Sequence, residues 1–246
     1  MTTGCSWDGT VAGTFSYVNQ IATMAVVEQT DPAFQTILPA MVTYAENRIF
    51  RDLDFLFTSI ATTAYSTTVG SRQISVPTGT FVVPEQINII TPAGTTNPDL
   101  GTRVPLLPTT KEFLDACYGS GITANRGLPK YWVPFDDYTF LLGPYPDAVY
   151  RCEIVGTYRP ASLSVSNKTT FISLYLPDLF IMASMVYISA YQRNFGRAND
   201  DPQMAITYES QYQTLLKNAD LEENRKKFEA AAWSSQEPSI SATPTR

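Results

Sequence analysis

The residues whose types and spacing bear on chemistry are two acidic pairs, Asp136-Asp137 and Asp200-Asp201, the second preceded by Asn199. Two convergent carboxylates are what glycoside hydrolysis needs, and clustered carboxylate and amide oxygens are what a hard cation takes. Neither pair has the spacing for it. Neighbouring acids on a two-residue turn point apart into solvent. Acids ahead of a helix are accounted for by capping and by the helix dipole, and no EF-hand spacing surrounds them. Cys5, Cys117 and Cys152 are too few and too far apart for a zinc site or a disulfide framework, and the odd count fits a chain left reduced. The chain has no histidine, which removes the Ser-His-Asp triad, the Cys-His pair and histidine metal ligation. No glycine-rich phosphate loop is present. Catalysis, metals and cofactors are therefore not expected. A carboxylate-only glycan hydrolase is the enzymatic alternative that survives.

Behind those residues stand 246 positions, of which 44% are hydrophobic, enough for a sizeable core. Charged residues are only 16%, against roughly 25% in an average soluble protein, and the net charge is −6. An acidic chain is a poor general nucleic-acid binder, since affinity for phosphate comes from Lys and Arg. Residues 1–55 read as an N-terminal helical segment, with helix over 14–55. Val18, Ile21, Ala22, Ala25 and Val26 keep helical spacing, and Asp31-Pro32 reads as an N-cap followed by proline at the first helical position. Phe34, Ile37, Leu38, Met41, Ala45 and Ile49 follow as an apolar stripe, interrupted by Pro39, where the helix kinks or restarts. The opposite face offers Tyr44, Glu46, Arg48 and Arg51.

Residues 56–160 change to a Thr-rich β module with long loops, in which 92–109 reads as an exposed loop and 111–118 as a short helix. Residues 131–142 read as a hairpin turning at Asp136-Asp137, and Val149 to Tyr158 alternates as a half-buried strand. Residues 161–232 return to helices that pack with 14–55. The first, from Pro177, is apolar nearly all round and ends at Gly196. The second is capped by Asp201-Pro202 and carries Ala205, Tyr208, Tyr212, Leu215 and Ala219 at alternating spacings of 3 and 4. Beyond it, Glu222 with Lys226 and Glu223 with Lys227 stand in the favourable i, i+4 order. Residues 233–246 are a polar, flexible C-terminal tail. The expected fold class is α+β: a helical bundle of N- and C-terminal helices, an inserted antiparallel β module and an extended tail. The apolar run after Asp178 is about 13 residues, short of the roughly 20 that span a bilayer, so no membrane segment is expected.

Three segments carry a resemblance to a known family: YAENRIFRDLDF at 44–55, EIVGTYRPASLS at 153–164, and the block from LPDLFIMASMVYISAYQRN to DDPQMAITYESQYQTLLKNADLEENRKK at 176–227. In their pattern of helices and punctuation they resemble the head-to-tail adaptor proteins of tailed phages, of the podovirus adaptor and tail tubular type. The resemblance implies a structural virion protein, made in the host cytoplasm, that forms a ring, a dodecamer, beneath the portal protein. It implies a neck that joins the portal to a tail nozzle or tail fibre proteins and extends the DNA channel, through which the genome passes without specific binding. On that reading Phe228, Trp233, Pro238, Ile240 and Arg246 are candidate portal-binding residues. Tyr44, Glu46, Arg48 and Arg51 are then the candidate inter-subunit helix face. The alternatives are another neck or tail ring component, such as a nozzle or stopper subunit, and the hydrolase.

Overall fold

A computed structural model describes residues 4–192 and 204–230. In chain order the elements begin with β1 (Gly4–Ser6), β2 (Thr14–Ser16), α1 (Tyr17–Met24) and α2 (Pro32–Asp52). Then come β3 (Ser59–Ser66), β4 (Gln73–Ser75), β5 (Val83–Thr91), β6 (Thr102–Pro105), β7 (Leu107–Pro108) and α3 (Lys111–Cys117). They are followed by β8 (Arg126–Gly127), β9 (Tyr131–Asp136), β10 (Thr139–Gly143), β11 (Tyr145–Pro146) and β12 (Arg151–Thr157). The last elements are α4 (Phe171–Tyr175), α5 (Pro177–Gln192) and α6 (Met204–Ala230). The class is α+β, with six α-helices among the described residues. The chain forms two compact units, one of residues 1–56 with 161–246 and one of residues 57–160.

In the helical unit α5 is central and packs against α1, α2, α4 and α6. That is why its sequence lacks a polar face. Leu179, Phe180, Ala183, Met185 and Ile188 are all buried. Tyr17 of α1 stacks on Phe180 at 4.6 Å, and its hydroxyl meets Ser184 Oγ at 2.7 Å, so the polar end of a buried ring is satisfied inside the core. The helix starts follow local chemistry. Ser16 caps α1 by accepting from Asn19 N–H, and Asp31 caps α2 by accepting from Ala33 and Phe34 N–H, with Pro32 at the start. Each such cap is worth about 1 kcal/mol. α2 neither stops nor restarts at Pro39 but continues through it. Pro39 sits on the exposed side, where the Gln35 carbonyl it cannot bond is open to water. One expectation for this region is corrected. Residues 14–16 are a strand rather than helix, paired in parallel with β1. That pairing seats Gly4 against α4, where any Cβ would lie 2.5 Å from the Leu174 carbonyl oxygen. The expected helix end at Gly196 and the cap at Asp201-Pro202 lie outside the described residues, as does the tail 233–246.

The β unit holds two four-stranded sheets, in the orders β3-β12-β5-β6 and β4-β10-β9-β7, and the small pair β8–β11. Both larger sheets contribute to one core, in which Ile87 and Ile89 of β5 and Cys152 and Ile154 of β12 meet Trp132, Phe140 and Leu142 of β9 and β10. A smaller cluster of Leu114, Val133 and Leu141 places α3 on the other face of β9 and β10. Leu141 and Leu142 of β10 are buried on opposite faces, which explains their continuous apolar run. The alternation read in 149–158 is the observed one, with Cys152, Ile154 and Gly156 buried between partly exposed neighbours. Three expectations change. The module is not purely antiparallel, because β7 pairs with β9 and β8 with β11 in parallel. The stretch 92–109 is not all loop: β6 lies antiparallel on β5, its strand signal masked by the prolines around it. The hairpin turns at Asp137-Tyr138, one residue later than expected, because the Asp136 carboxylate accepts the Tyr138 N–H at 2.9 Å and ends the strand there.

Candidate functional site

The acids do not assemble into chemistry. Asp136 is spent on its own turn, and Asp200-Asp201 lies outside the described residues. Among the described residues no group of three His, Cys, Asp or Glu side chains could hold a metal ion. Burial pushes the Cys5 and Cys152 thiols up to about 12, so neither supplies a thiolate near neutral pH. Cys117 is exposed and adjoins no basic activator in the sequence.

Of the four residues expected on one open face of α2, the structure keeps three together and removes one. Glu46 is buried, at 2% exposure. Its Oε1 accepts the Leu163 N–H at 3.1 Å and the Thr170 hydroxyl at 3.5 Å, while Oε2 has no hydrogen-bond partner. Burial holds this carboxyl above the ordinary glutamate range. Glu46 therefore fastens the segment after residue 160 to α2 and is not part of the solvent-facing surface. Position 46 is one residue beyond Ala45, and the buried stripe of α2 takes two adjacent residues per turn there, Met41 with Val42 and Ala45 with Glu46.

Tyr44, Arg48 and Arg51 line an open groove along α2 together with Pro39, Thr43 and Asp52. Tyr44 is partly exposed and leans on Tyr187 of α5 at 5.0 Å. Arg48 is occupied inside the chain. Its guanidinium reaches Glu209 of α6 at 2.5 Å and Asp52 at 3.7 Å, and lies 4.2 Å over the Tyr212 ring. The Tyr212 hydroxyl in turn donates to Asp52 at 2.7 Å. The hydrogen bond donated by Arg48 holds Glu209 below its ordinary range, the reverse of what a general acid requires. Arg51 makes no ion pair among the described residues, so it is the cation that this groove presents. The partnership of Arg48 with Glu209 and Tyr212 was not visible in sequence. The signal available was Tyr212 on the α6 stripe, which says that the ring is buried but not against what.

The C-terminal candidates divide in the same way. Phe228 is exposed near the end of α6, while Trp233, Pro238, Ile240 and Arg246 lie outside the described residues. The pairing on α6 differs in part from the expected one. Lys226 reaches both Glu222 at 2.7 Å and Glu223 at 2.8 Å, and Lys227 pairs with Asp54 instead of Glu223. Glu223 is buried and accepts the Leu56 N–H, so it continues the inner stripe of α6 past Ala219. Among the described residues no helix is long and apolar enough to cross a membrane.

The described residues thus present an open groove along α2 and bring no acids together into a metal-binding group. No curated protein matches the chain. The family described as SU10 adaptor protein matches residues 17–236, from the first turn of α1 to beyond the end of α6. The match spans both compact units, and the chain belongs to the SU10 adaptor protein family, a phage adaptor type.

Proposed function

We propose that this chain is the neck adaptor of a tailed phage, of the podovirus type: a structural virion protein that forms a dodecameric ring, joins the portal to the tail nozzle or fibres and extends the DNA channel. Membership of an adaptor family over 17–236 carries the reading. Composition supports it. A net charge of −6 suits a channel wall that lets phosphate slide past, where a basic wall would hold it. In the ring, Tyr44, Arg48 and Arg51 on the groove of α2 are the inter-subunit face, with Arg51 the charge available to a neighbour. Phe228, Trp233, Pro238, Ile240 and Arg246 are the portal anchors, and repeated engagement around a ring adds avidity beyond any single contact. The β unit is the tail-facing part. Its exposed Leu107, Ile122 and Phe135 are the apolar groups a docking partner would cover.

The test is the native mass of the chain mixed with the portal of the same virion, for the full chain and for a version ending at Ala232. The full chain adds a stoichiometric ring, and the shortened chain does not. If neither binds, the portal assignment fails. The nozzle or stopper reading then takes its place, with the β unit as the main interface.

A further inference from the structure

Strand β3 ends its sheet, with β12 on one side and, among the described residues, no strand on the other. Tyr158 N–H donates to Thr58 O and Thr67 N–H donates to Tyr150 O, which sets the alternation of the ladder. Ile60, Thr62 and Tyr65 turn their backbone groups to β12, and Ile60 and Tyr65 pack on the core. Ser59, Ala61, Ala64 and Ser66 lie on the open side and all four are exposed, the Ala64 N–H being held by Thr62 Oγ1 at 3.4 Å, a bond it would exchange for one to a neighbouring strand. Such an edge is a template for another strand unless it is blunted. The other edges are blunted: β6 points Arg103 and Pro105 outward, β4 has three residues and β7 has two, one of them Pro108. Across its eight residues β3 has no charge, no proline and no glycine, and a single bulge is the one blunting device it carries.

The sequence of β3 identifies what fits. SIATTAYS reads nearly the same in both directions. An antiparallel copy centred between Thr62 and Thr63 sets Ser59 against Ser66, Ala61 against Ala64, Ile60 against Tyr65 and Thr62 against Thr63. In an unbroken strand this centre would set outward residues against inward ones. β3 carries one extra residue between Thr62 and Tyr65, opposite Glu153, and that bulge shifts the alternation so that all four outward residues meet outward residues. The facing side chains are Ser and Ala, uncharged and small, so no facing pair repels or crowds its opposite. We infer that the β3 edge is a self-recognition site: two copies of this chain pair through β3, antiparallel across a two-fold axis, in the isologous manner of a homodimer. A two-fold pair is not a contact of a cyclic ring, so this is a state of the free chain that gives way when a ring forms, and it is tested without the portal.

Charge exchange tests it. Ala61 and Ala64 face each other across the axis, so Ala61→Lys with Ala64→Lys sets lysine against lysine, and the corresponding glutamate pair sets acid against acid. The native mass of the purified wild type is expected to be twice the 27.2 kDa of one chain, and each doubly charged variant alone is expected at the single-chain mass. Mixing the lysine and glutamate variants is expected to restore the doubled mass as a heterodimer, which also shows that both variants are folded. A wild type of single-chain mass up to its solubility limit overturns the inference. So does a doubled mass, or a closed ring, that the lysines leave unchanged. If the wild type is single on its own and the lysine variant loses only its attachment to the portal, the edge takes a strand of another protein and self-recognition is wrong.

Discussion

Glu46 shows how a single charged side chain can be drawn inside. Its Oε1 holds the Leu163 N–H and the Thr170 hydroxyl, and in exchange the carboxyl is kept out of water. Because its folded proton affinity is raised, the protonated form is the one the fold favours. The contribution of this group is then fully present below the ordinary glutamate value of about 4.3 and is lost as pH rises through the higher folded value. Glu46→Gln keeps an oxygen for Leu163 and cannot ionise. Thermal melts of both proteins from acid to mildly alkaline pH should diverge, the wild type losing ground to the glutamine variant as pH rises. Curves that stay parallel would show that Glu46 does not ionise differently in the folded chain.

At the scale of elements, α2 and α6 are held together by a polar cluster lying over a buried ring. Tyr212 is fully buried, Arg48 lies over it, and Asp52 and Glu209 take the charged hydrogen bonds. Tyr212→Phe retains the packing and removes one bond to a carboxylate, an expected loss of about 1.5 kcal/mol in chemical denaturation. Arg48→Lys should cost nearly as much despite keeping the charge, because an ammonium cannot make the forked contact and lie flat on the ring together. A lysine variant as stable as the wild type would show that only the charge matters there. The helices themselves were legible in advance. Asp31-Pro32 marked the start of α2, and the stripe through Phe34, Leu38, Met41 and Ile49 marked its inner face. Short strands were not, because three or four residues such as those of β1, β2 and β6 carry too little alternation to stand out from loop.

For the molecule as a whole, charge and assembly decide behaviour. With 17 basic residues against 23 acidic ones and no large basic surface signalled in the sequence, the free chain should show no measurable retention of duplex DNA at physiological salt. A mobility-shift titration checks this, and salt-sensitive binding would place a basic lining where a neutral or acidic one is expected. The two units differ in composition. The helical unit carries the Glu–Lys pairs and the charged groove, while the β unit is poor in charge and rich in exposed Thr, Leu and Phe.

Composition and the periodicity of its apolar residues were enough to make this an α+β chain with a β segment set between helices. Those features are local or additive, so they can be read along one dimension. Tertiary structure alone decided that Glu46 faces inward while Arg51 faces out, that Lys227 leaves Glu223 for Asp54, and that β3 is an edge. Each of these depends on which distant segment arrives beside a residue. Burial, the choice among competing ion pairs and the completion of a backbone ladder are properties of that neighbour, and nothing in the local sequence specifies it.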